Sequence, residues 1–178
     1  MKLLLLIASV LLAACATPTE QQAPQSISSA VEVKDTAFDK DITFDKDITY
    51  TGPVIYTSSG DNDLQYLLRA WKNKKTDNTG YQLYIDVSYA DADWRSYESA
   101  SFTNGSAVNA ATIDNDVYCG AYGCTYYETL GIPVTAAFLN RKSATGFNVR
   151  LNSQSGQETF VKVSPNYIQG FMLAVGTG

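Results

Sequence analysis

The chain has 178 residues, of which 45% are hydrophobic, 12% aromatic and 17% charged. That composition fits one compact domain with a short appendage and excludes a disordered tail protein, a collagen and a multi-span membrane protein. Lys and Arg number 13 against 18 Asp and Glu, for a net charge of −5, so the cationic footprint that phosphate backbones require is missing and nucleic acid is not an expected partner. Histidine is absent altogether, which removes the commonest general base, the commonest metal ligand and every triad built on imidazole.

Lys2 is followed by the apolar run Leu3 to Leu12 and then by Ala13-Ala14-Cys15. One positive charge, a short greasy core and small residues have the architecture of an export signal, while a bilayer span needs about 20 apolar residues. Leu12-Ala13-Ala14-Cys15 resembles the lipobox of bacterial lipoproteins. The resemblance implies a signal peptide over residues 1–14, acylation of Cys15 (diacylglycerol plus a further acyl chain such as palmitate) and anchoring to the lipid bilayer without crossing it. Ala16 stands where aspartate would favour the inner membrane, so the resemblance points to the outer membrane of a diderm cell, with the domain in the periplasm or at the cell surface. The alternative is an ordinary secretory signal, which would leave Cys15 unpaired in an oxidising compartment.

Residues 15–29 then comprise the lipidated Cys15 and a flexible tether, since Ala16 to Ser29 is rich in Pro, Gln, Thr and Ser and too poor in apolar content to offset its ordering entropy. Residues 30–178 form the domain. It opens on a tandem hexapeptide, FDKDIT at Phe38 to Thr43 and again at Phe44 to Thr49. Six is even, so an extended chain places Phe38, Ile42, Phe44, Ile48 and Tyr50 on one face and Asp39, Asp41, Asp45 and Asp47 on the other. The acids lack an EF-hand spacing and have Lys40 and Lys46 among them, so they are expected on a solvated face rather than around calcium; no metal or other cofactor is expected.

Leu64 to Trp71 and Tyr81 to Tyr89 alternate about a polar loop and predict a hairpin, although the first could be a short helix. Tyr97 to Thr103 and Ser106 to Ile113 flank Asn104-Gly105, a two-residue hairpin signal. Phe147 to Leu151 and Thr159 to Val163 make a third hairpin. Pro133 to Leu139 can add one helical turn. Ser164-Pro165 then begins a helix to about Val175, with Ile168, Phe171, Met172 and Val175 at helical spacing and Gly170 costing about 1 kcal/mol relative to alanine. The fold expected is mainly β, an antiparallel β-sandwich with a short C-terminal helix.

Cys119 and Cys124 enclose Gly120-Ala121-Tyr122-Gly123, neither a redox CxxC nor a zinc knuckle, and are expected to form a disulfide in an exported chain. Tyr118, Tyr122, Tyr126 and Tyr127, with Glu128 beside them, make the densest tyrosine cluster. A stapled Tyr-rich loop suits recognition, and period-two burial of some of these rings in a β core is the competing reading. Trp94 and Arg95 in Asp91-Ala92-Asp93-Trp94-Arg95 join the candidate binding surface, against a reading in which Trp94 caps the core and Arg95 pairs with an acid.

No SxxK motif, Gly-rich phosphate loop or triad is present, and no catalytic residue is assigned. Asp86, Glu98, Glu128 and Glu158 lie near aromatics and would suit carboxylate hydrolysis only at the right separation. The expectation is therefore a non-enzymatic envelope interaction module. A protein that binds or cleaves envelope glycan, peptidoglycan included, and a structural accessory subunit of an envelope protein complex are the alternatives.

Overall fold

The computed structural model describes residues 19–35, 47–103 and 106–176. The expected signal over residues 1–14 and Cys15, the first FDKDIT unit with the start of the second, and the Asn104-Gly105 turn expected from sequence lie outside the described residues.

Two antiparallel sheets face one another as a sandwich. The larger contains β1 (Glu32–Asp35), β2 (Asp47–Thr51), β3 (Ile55–Ser59), β4 (Asn62–Asn73), β5 (Thr79–Asp91), β8 (Ala111–Gly120) and β9 (Gly123–Val134), ordered β1-β2-β4-β5-β9-β8 with β3 also on β4. The smaller contains β6 (Tyr97–Phe102), β7 (Ala107–Asn109), β10 (Phe147–Ser153) and β11 (Glu158–Val163), ordered β11-β10-β6-β7. The helices are α1 (Pro24–Ser29), α2 (Ala136–Lys142) and α3 (Pro165–Gly176).

Period-two alternation builds the core. On β4, Leu64, Tyr66, Leu68 and Ala70 are buried, as are Leu83, Ile85, Val87 and Tyr89 on β5 and Tyr126, Leu130 and Ile132 on β9. Residues between them, such as Gln65, Arg69, Tyr84 and Asp86, line the outer face. The smaller sheet answers with Ala100, Phe102, Val149, Leu151, Val161 and Val163. Leu64–Trp71 is a strand and not a helix, because the long β5 pairs with it in register on one side and β2 and β3 divide its other edge between them. Ile48 and Tyr50 share the core-facing side of β2, as alternation along a strand requires. The Ser106 to Ile113 run divides at Ala110, giving β7 to one sheet and β8 to the other.

Ser164 caps α3 by accepting from Tyr167 N at 3.2 Å, and Thr135 caps α2 from Phe138 N at 3.1 Å. Tyr167 fills the break between β2 and β3: its hydroxyl donates to Pro53 O at 2.8 Å and accepts from Leu68 N at 3.1 Å. Gly52 is required there, since a Cβ would lie 2.5 Å from that hydroxyl.

Part of the segment read as a flexible tether is structured. Thr19–Gln21 forms a 3-10 turn and α1 follows it, both docked on the sandwich rather than free. Ile27 is fully buried, Ser164 Oγ donates to Glu20 O at 2.6 Å, and Tyr66 Oη donates to Glu20 Oε2 at 3.2 Å. The physical reason is a single apolar side chain, Ile27, and a glycine to receive it. A Cβ on Gly170 would lie 2.6 Å from Ile27 Cβ and 2.7 Å from Pro24 O.

Candidate functional site

The residues expected on one binding surface divide between buried and exposed positions. Glu128 is inside, 4% exposed. Its carboxylate accepts from Tyr89 Oη and from the backbone N–H groups of Ser96 and Tyr97, each at 3.1 Å. Those two bonds offset the left-handed conformation of Ser96, φ +55°, unusual for a residue with a Cβ.

Arg95 is buried as well. Its guanidinium donates to Asp91 at 3.1 Å and to Asn62 Oδ1 at 2.7 Å, and lies 4.1 Å over the Tyr89 ring. Asn62 donates to Thr159 Oγ1 at 3.1 Å, and Thr159 meets Tyr97 Oη at 2.6 Å, so one polar chain ties the two sheets together. Burial pushes the Tyr89 hydroxyl above the usual phenol range; the Arg95 N–H opposes this and the Glu128 carboxylate adds to it. Burial pulls on the Arg95 guanidinium too, but its bonds to Tyr97 and Asp91 leave it raised. The N–H of Ala92, and then Arg95, hold Asp91 below the usual carboxylate value.

Tyr126 is buried between Tyr89, stacked at 5.6 Å, and Trp94, edge-on at 4.9 Å, and donates to Ala92 O at 3.1 Å. Arg95, Tyr126 and Glu128 therefore leave the candidate surface, and Trp94 is half-buried against the core. This satisfied network pins the corner of the fold.

Tyr118, Tyr122 and Tyr127 are exposed. Cys119 and Cys124 form a disulfide at the end of the β8–β9 ribbon, with Tyr122 fully exposed in the turn. In the β8–β9 register Asp116 opposes Tyr127 and Tyr118 opposes Thr125, so Tyr118 and Tyr127 share the outer face.

That face carries an open groove of about 490 Å³, lined among others by Tyr56, Gln65, Tyr84, Asp86, Tyr127 and Thr129. Asp86 anchors the floor, accepting from Gln65 at 2.9 Å and Thr129 at 2.6 Å. Beside it the Arg69 guanidinium lies 4.3 Å over Tyr84 and 5.2 Å from the Trp71 ring, and donates to Gln82 at 2.9 Å. Partial burial holds Arg69 below its ordinary value, with Tyr84 and Asp86 opposing that shift. Aromatic rings standing around hydrogen-bonding side chains can stack on a sugar face and bind its hydroxyls. A hollow of about 660 Å³ on the smaller sheet, lined by Asn148, Arg150, Phe160 and Lys162 among others, has Arg150 paired to Glu158 at 2.9 Å.

The four carboxylates weighed for hydrolysis are dispersed. Asp86 is on the outer face of the larger sheet and Glu128 on its inner face, Glu98 bonds Gln154, and Glu158 pairs with Arg150. Tyr56, Gln65 and Tyr84 were not among the sequence candidates. Gln65 and Tyr84 could have been found as the polar and aromatic half of alternating strands, whereas Tyr56 reaches the groove only because β3 pairs with β4. The chain matches no protein-family model, no curated protein and no solved structure.

Proposed function

We propose that the protein is a lipid-anchored envelope protein whose sandwich is a binding module without catalysis. The observation that carries this is Leu12-Ala13-Ala14-Cys15 directly behind an apolar run. The Cys119–Cys124 pairing supports export to an oxidising compartment. Loss of the signal would remove Lys2 and leave 12 basic residues against 18 acidic ones, which gives little electrostatic adhesion to anionic lipid and makes acylation the principal attachment.

Docking of the chain from Thr19 onward shortens the leash. Cys15 to Thr19 is four steps, at most about 14 Å when fully extended, so an acylated Cys15 would hold the domain against the headgroups. The test is Cys15→Ser in cells, followed by fractionation and mass spectrometry. The wild type should carry acyl mass on Cys15 and sediment with outer membranes, and the variant should become soluble. A variant that stays in the membrane fraction refutes the anchor.

The groove favours a second, compatible reading in which the bound partner is the uncharged sugar backbone of peptidoglycan. Its three tyrosine rings, Tyr56, Tyr84 and Tyr127, stand around Gln65, Asp86 and Thr129, and its nearest guanidinium, Arg69, is already engaged by Gln82 and Tyr84. Retention of the protein on purified peptidoglycan should be abolished by Tyr84→Ala with Tyr127→Ala and kept by Tyr122→Ala. No retention of the wild type removes this reading.

A further inference from the structure

The larger sheet ends on β8, ten residues long and exposed throughout, with no strand on its other side among the described residues. A free edge of this length is ordinarily a template for pairing with another chain. We propose that Asp114 and Asp116 close this edge against strand addition by a second copy of the protein.

The direction of each backbone amide on β8 follows from the ladder. Leu68 sends its N–H to Tyr167 Oη and takes Gly52 N on its carbonyl, so both groups point away from β5. Backbone direction alternates along a strand, so Leu64 also points away from β5. Its partner Val87 then points toward β9 and bonds Glu128. Glu128 is thus committed to β5, and the residue opposite it on β8, Asn115, must point its N–H and C=O outward, as must Val117 two residues on. Cys119 has the same parity, and its Cα stands 4.0 Å from that of Cys124, the close spacing of a pair that exchanges no ladder bonds.

Both outward amides are occupied. Asn115 N donates to Asp114 Oδ1 at 2.9 Å and Val117 N to Asp116 Oδ1 at 2.8 Å. Each carboxylate takes the donor that an incoming strand's carbonyl would need and presents negative charge to that carbonyl. Self-pairing is opposed a second way. An antiparallel pair of β8 strands centred on Asn115 places Asp114 opposite Asp116 of the other copy, and centring on Asp114 or Asp116 places each opposite itself; like charges directly opposed are unfavourable. Interaction through the ribbon is thereby left to its faces and tip, where Ile113, Val117, Tyr118 and Tyr122 are exposed.

The experiment compares the full-length protein with Asp114→Ala/Asp116→Ala by sedimentation in detergent and by chemical crosslinking in intact cells. The wild type should be monomeric through this edge and the double variant should self-associate roughly tenfold or more tightly. Adding Asn115→Pro, which edge strands tolerate where the N–H faces outward, should return the double variant to monomer. Amide exchange on the wild type gives an independent measure, with Asn115 and Val117 slower than in an unstructured peptide. A double variant that stays monomeric, a wild type already crosslinked through β8, a dimer that survives Asn115→Pro, or unprotected amides at both positions each overturns the proposal.

Discussion

Gly170→Ala tests how the N-terminal segment is held, and two opposed effects decide its sign. Alanine in place of glycine inside α3 gains about 1 kcal/mol of helix propensity. The added Cβ, however, would sit 2.6 Å from Ile27 Cβ and 2.7 Å from the backbone oxygen of Pro24, and a backbone atom cannot swing aside as a side-chain end can. α1 must move by about an ångström or leave. If it leaves, fully buried Ile27 returns to water at a cost of about 1.5–3 kcal/mol, with the Ser164 to Glu20 and Tyr66 to Glu20 hydrogen bonds at further risk. The loss outweighs the gain, so the variant should be destabilised by about 1–2 kcal/mol, a fall of roughly 2–8 °C in Tm for a chain of this size. Thermal unfolding gives the total. Limited proteolysis with mass spectrometry locates it, with new cleavage confined to residues 19–31. A Gly170→Ala protein as stable as wild type or more so, with that segment equally resistant, would refute the packing argument.

Glu128→Ala strands three donors, the hydroxyl of Tyr89 and the N–H groups of Ser96 and Tyr97. At about 1–3 kcal/mol for each buried group left unpaired, and with some rehydration, the loss is about 3–6 kcal/mol; urea unfolding reads it, and a change under about 1 kcal/mol contradicts the role given to this carboxylate. The hydroxyls of Tyr66, Tyr89 and Tyr167 are all held above the usual phenol value, burial being the largest cause in each. Their contribution to stability is complete below pH ~10, where the unfolded chain is also protonated, and falls as pH rises beyond it by about 1.4 kcal/mol per unit for each tyrosine. Absorbance titration should therefore show Tyr66, Tyr89 and Tyr167 ionising only as the fold opens; ionisation of all three while the protein stays folded would be inconsistent with their burial.

Much of the architecture was legible because it is written in short range. Alternation in Tyr81 to Tyr89 marked a strand with one buried face, alternation in Leu64 to Trp71 favoured a strand over a short helix, and Ser164-Pro165 marked the start of a helix, since caps and turns involve residues a few positions apart. Tyr126 and Tyr127 show where legibility stops. Adjacent in the chain, they point to opposite faces of one sheet, and which ring became buried depended on the loop after β5, where Trp94 packs edge-on against Tyr126 and the Ala92 carbonyl takes its hydroxyl. Glu128 looked like a surface acid beside a tyrosine cluster, and its partners at Tyr89, Ser96 and Tyr97 lie more than 30 positions away.

The polar stretch before residue 30 was composed like a tether because composition averages over its one isoleucine. It packs because Gly170, more than a hundred residues later, has no side chain to keep Ile27 out. Sequence alone determined the β periodicity and the helix cap, both of which depend on neighbours along the chain. Tertiary structure alone decided the sheet order, the groove on the outer face and the outward direction of the Asn115 and Val117 amides, because strand pairing joins positions whose sequence separation carries no local trace of the register between them.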